Sequence, residues 1–118
     1  MPSKTLIVGC GLAGTLAAWA LHKRQESFSV YDNGSASASK VAAGMYNPVS
    51  FKRVVEVWNA KDHMKVMLDT YSEIEKALGV KILHRLPILR IFPNEQYRKH
   101  WESRTNHEVG QWLSRVFE

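Results

Sequence analysis

The feature that most restricts this chain is the junction of a short apolar run with three spaced glycines. Thr5 to Val8 reads TLIV, and GCGLAG follows directly with Gly9, Gly11 and Gly14. A short apolar run rich in β-formers suits a strand buried on both faces of a parallel sheet. Thr15 to Lys23 then carries Leu16, Trp19 and Ala20 at helical spacing and runs into His22–Lys23–Arg24. Basic residues there suit the negative end of a helix dipole. Ser27 to Tyr31 alternates as a second strand and closes on Asp32. These segments predict one strand–helix–strand crossover. Lys4, followed by apolar and small residues, imitates a secretory signal. The ordered glycines, with a strand and an acid in register behind them, favour a folded segment instead.

The glycines have mechanical jobs in such a crossover. Gly9 permits the tight turn out of the first strand, Gly11 lets a pyrophosphate approach the backbone, and Gly14 lets the helix pack close to the strand. The helix start offers unpaired N–H groups and a positive dipole end to phosphates. Asp32 lies 18 residues after Gly14, where a carboxylate accepts hydrogen bonds from the ribose hydroxyls of an adenosine. The same carboxylate repels a 2′-phosphate, which argues against NADP and leaves FAD and NAD. Cys10 is read as a small buried filler between two glycines.

Asn33 to Ser39 (NGSASAS) is a polar, small-residue loop, and VAAGMYNP from Val41 to Pro48 is apolar but broken by glycine. Met64, Met67, Leu68, Tyr71, Ile74 and Leu78 recur at helical spacing, with Gly79 as the stop. This predicts a long helix from about Asn59 with the methionine stripe in a core. Val80–His84 and Ile88–Phe92 read as strands on either side of Pro87. Asn94 is placed to cap a helix through about Arg104, and Asn106 to cap another with Val109, Trp112, Leu113 and Val116 on one face.

The stretch NGSASASKVAAGMYNPV, coming soon after the second strand, resembles the D-amino acid oxidase/glycine oxidase family of FAD-dependent oxidoreductases. The likeness covers residues 4–53 through TLIVGCGLAG, the Asp32 terminus and SxxAAGMYNP at Ser39 to Pro48. It continues more loosely through Lys52–Arg53, the long helix and LPILRIF. The resemblance implies an α/β fold: a Rossmann-like FAD-binding βαβ start of a larger doubly wound domain, followed by a long helix, short strands and C-terminal helices. Residues 1–53 would form the FAD-binding unit with its flavin-contacting loop. Residues 54–118 would be an incomplete part of the FAD and substrate domains. By that resemblance Gly9, Gly11, Leu12, Ala13 and Gly14 hold the pyrophosphate and Asp32 the ribose. Ser39, Lys40, Ala42, Ala43 and Gly44 follow the ribityl chain and flavin edge, with Met45 near the isoalloxazine. Small residues permit the close backbone approach that a planar ring needs. The implied activity is oxidation of a C–N bond in an amino acid or amine by hydride transfer to flavin N5. The implied substrate-clamping arginine and aromatic lid are not in this sequence, so the chain reads as an N-terminal fragment without turnover of its own.

Charge and cysteine content remove other classes. The net charge of +5 is shared by both halves without a basic tail, so nucleic-acid binding is not indicated. A single cysteine excludes an internal disulfide, and no apolar run is long enough to span a bilayer. The five histidines, His22, His63, His84, His100 and His107, show no metal-ligand spacing. Lys52 and Arg53 read as a solvated basic pair, and Trp101 and Trp112 as helix-core residues. A cytoplasmic location is expected, with a small-molecule substrate as partner. Unpaired strand edges and uncovered apolar faces would favour self-association. The competing functions are an NAD-binding Rossmann module and a non-enzymatic interaction or regulatory fragment.

Overall fold

A computed structural model describes residues 5–114, and the expected roles of Lys4 and Val116 lie outside the described residues. The chain forms two compact units that divide between Tyr46 and Asn47. The first begins with the crossover: β1 (Thr5–Val8), α1 (Leu12–Lys23) and β2 (Phe28–Tyr31). β1 and β2 are parallel, with Thr5 opposite Phe28 and Val8 opposite Tyr31. Parallel partners cannot be joined by a tight turn, and α1 supplies the crossover. Ile7 is buried, whereas Val8 is 80% exposed. A single helix turn, α2 (Ala38–Val41), stands in what the sequence presents as loop.

The helix α1 starts at Leu12 rather than Thr15, so Gly14 is inside its first turn. Its position explains its lack of a side chain. A Cβ there would overlap the Gly9 carbonyl oxygen and lie 3.3 Å from Ile7 Cγ2. The helix therefore meets the backbone of Gly9, the first residue after β1, at this point.

The second unit opens with a hairpin that sequence periodicity does not reveal. β3 (Val49–Ser50) and β4 (Val55–Glu56) are antiparallel, with Val49 opposite Glu56. Asn47 brackets Val49, donating to its carbonyl at 2.8 Å and accepting from its N–H at 3.0 Å. Val54 closes the turn by donating to the Ser50 carbonyl at 2.7 Å. Its φ of +49° is unusual for a β-branched residue. The side chain is only 1% exposed, so apolar burial holds it in that conformation. Next come α3 (Ala60–Leu78) and α4 (Glu95–Arg104). Both follow their sequence signals. Gly79 ends α3 in the left-handed region at φ +67°, and the Asn94 side chain accepts from Tyr97 N–H at 3.0 Å.

Several expectations need correction. Val80–His84 and Ile88–Phe92 are not strands. A strand is completed by a partner backbone, and the described residues supply none. Instead Glu75 accepts from the N–H groups of Ile82 and Leu83 at 2.9 and 2.8 Å, and from Lys81 Nζ at 3.0 Å. Asn106 caps no α-helix; a short 3-10 turn over Glu108–Trp112 takes its place. Gly110 weakens helix there, and Trp112 Nε1 and Gln111 Nε2 donate to Glu56 at 2.8 and 2.9 Å. The stripe of Met64, Met67, Leu68 and Tyr71 is half-buried rather than core, and Leu78 is exposed.

Two outcomes follow. Gly14→Ala should destabilise the chain by about 1–3 kcal/mol, the usual cost of forcing atoms into a filled contact, and an unchanged denaturation midpoint would contradict the close approach. Glu75, with a side chain only 15% exposed, is held down to about 2 from 4.5, first by the Leu83 amide, then by Ile82 and Lys81. Its contribution is therefore present above the ordinary value and lost as pH falls from 4.5 towards about 2. The urea midpoints of the parent protein and Glu75→Gln should converge over that window; a constant gap would contradict the assignment.

Candidate cofactor site

The ends of β1 and β2 are tied together across the glycine loop. Gly9 N–H continues the strand pairing by donating to the Tyr31 carbonyl at 2.7 Å. One residue further on, Cys10 N–H donates to Asp32 Oδ2 at 2.6 Å. The other oxygen, Oδ1, accepts from Gly34 N–H at 2.7 Å. Asp32 thus joins the glycine loop to the loop after β2. The Cys10 amide, then that of Gly34, with added attraction from Lys40, lowers its pKa below the ordinary carboxylate value. An ionised Asp32 is the form that accepts these bonds.

The start of α1 faces the same place. The first intrahelical bond runs from Thr15 N–H to the Gly11 carbonyl at 2.9 Å. The N–H groups ahead of it have no helical acceptor. Leu12 N–H donates to Ser39 Oγ at 2.9 Å, across 27 residues of sequence. The amides of Ala13 and Gly14 follow at the positive end of the helix dipole. A Cβ at Gly11 would lie 3.2 Å from Ser39 Oγ, so glycine leaves room for the hydroxyl. The result is a set of backbone donors edged by one carboxylate and one hydroxyl, chemistry suited to a diphosphate beside a sugar.

The expected site residues therefore divide. Gly9, Gly11, Leu12, Ala13, Gly14, Asp32 and Ser39 come together. Sequence reasoning sends Ser39 out towards the ribityl chain, whereas its hydroxyl stands at the helix start, a long-range contact without a local signal. Lys40 Nζ reaches the carbonyls of Gly34 and Ser35, both at 3.4 Å, and closes the small-residue loop on itself. Ala42 N–H returns to Ala38. Ala42, Ala43 and Gly44 are exposed, as is Met45, and among the described residues no hydrogen bond links Ala43, Gly44 or Met45 to the glycine loop. Cys10 is exposed, which corrects its reading as a buried filler; its Sγ lies 3.7 Å from Thr15 Oγ1.

Among the described residues no group of three His, Cys, Asp or Glu side chains is placed to hold a metal ion, and no helix is long and apolar enough to cross a membrane. No solved structure matches the chain. The family model described as FAD dependent oxidoreductase matches residues 4–118, and the chain accordingly belongs to that family, whose cofactor is FAD.

Proposed function

We propose that the protein serves the oxidation of an amino acid or an amine at a C–N bond in the cytoplasm, as a member of the D-amino acid oxidase/glycine oxidase branch of its family. The observation that carries the binding half of this reading is the meeting of Asp32, Ser39 and the first turn of α1 at the glycine loop. That donor set fits FAD. Ala13 and Gly14 N–H would take the pyrophosphate oxygens. Asp32 spends one lone pair per oxygen on Cys10 and Gly34, leaving the others for ribose hydroxyls. Ser39 accepts from Leu12 N–H and keeps its own proton to donate. Lys40 adds positive charge at the edge of the loop. Ala42, Ala43 and Gly44 carry no side chain large enough to bar a flat ring from the backbone, and the exposed Met45 offers a polarizable surface beside it. When bound, FAD supplies a two-electron acceptor for the substrate. The partner in this reading is a small molecule, not nucleic acid.

FAD titrated into the purified chain and followed by flavin fluorescence tests the assignment. Asp32→Ala should weaken binding by about tenfold or more, the scale of a hydrogen bond to a charged group. Ser39→Ala should weaken it by about three- to tenfold, the scale of a neutral one. Unchanged affinity in both variants would remove the cradle from the cofactor site.

A further inference from the structure

Among the described residues, Arg90 of the second unit has no carboxylate partner. The Arg90 guanidinium carbon lies 4.9 Å from the centre of the Phe51 ring and 5.8 Å from those of Tyr97 and Trp101. Trp101 in turn lies 6.1 Å from Phe51 and 5.6 Å from Phe92 between ring centres. Arg90 is half-buried, and among the described residues no carboxylate pairs with it. The neighbouring acids are committed elsewhere: Glu95 and Glu102 to Arg98, Glu56 to Trp112 and Gln111. One end of the cluster is built by the strained turn at Val54, which carries Phe51. That turn is held against α4 by His100, whose Nε2 lies 3.3 Å from the Arg53 carbonyl oxygen. One turn along the same helix from Trp101, Arg104 keeps a buried Nε without a hydrogen-bond partner.

Rings hold the face of a guanidinium but satisfy none of its five N–H donors. A half-buried arginine fixed this way is the prepared half of an oxyanion site, because its planar fork matches a carboxylate or phosphate and its position is already set. Backbone strain kept by burial also marks places where a fold spends stability on presenting a site. We propose that the forked edge of Arg90 binds an organic oxyanion, a carboxylate or phosphate ester, whose flat apolar body lies along the Phe51 and Trp101 rings. The proposal uses neither the glycine cradle nor the flavin, so it stands or falls apart from the reading above.

The test is titration of the full chain with phenylacetate, phenyl phosphate and the neutral 2-phenylethanol, following the Trp101 indole N–H resonance. At least one anion should move that resonance and bind about tenfold or more tightly than the alcohol, as a charge-assisted pair requires; whichever anion binds more tightly identifies the headgroup. Arg90→Gln should erase the preference for anions, and Arg90→Lys, which keeps the charge but not the fork, should retain only part of it. If Arg90→Gln does not fold, the Arg90→Lys loss carries the test. Equal binding of the alcohol, a silent Trp101 resonance, or an undiminished preference in the variants would overturn the proposal.

Discussion

The candidate site depends on one contact, the close approach of α1 at Gly14 to the backbone of Gly9, the first residue after β1. Because no Cβ intervenes, the first turn of the helix stands directly over the glycine loop. Asp32 and Ser39 add to this arrangement from the far side. Each accepts an N–H from the loop or the helix, so each is positioned by the backbone it helps to order. The carboxylate is kept ionised by those same donors. Structure and ligand chemistry here draw on one set of groups, which is why small changes in this region should reach both.

The second unit is organised by side-chain contacts more than by secondary structure. Glu75 fastens the segment after α3 by taking two consecutive amides, and Glu56 fastens the 3-10 turn through Trp112 and Gln111. Between these ties, apolar residues remain outside: Leu86, Leu89 and Ile91 are all exposed. A carboxylate that satisfies backbone donors substitutes locally for the strand partner those donors would otherwise need. The aromatic group around Arg90 plays a comparable part for the hairpin and α4.

How much of this was legible in the sequence depends on how local each signal is. The glycine turn, the stop at Gly79 and the cap at Asn94 act within a few residues, and the corresponding turn and helix ends form where expected. The hairpin at Val49–Glu56 is not legible because two-residue strands show no alternation. Val80–His84 and Ile88–Phe92 carry β-forming residues, but composition does not provide a partner. Ser39 on Leu12 and Phe51 beside Arg90 are long-range contacts for which no periodicity speaks. The family resemblance assigns residues to the cofactor without saying which of them meet.

The central claim is that the amides at the start of α1, with Asp32 and Ser39 beside them, receive the diphosphate of FAD. The most direct measurement is the backbone amide spectrum of the chain during titration with FAD. The account predicts that the resonances of Ala13 and Gly14 shift first and most, together with those of Cys10 and Leu12. Shifts confined to residues 47–114, with these four amides unmoved as FAD binds, would contradict it.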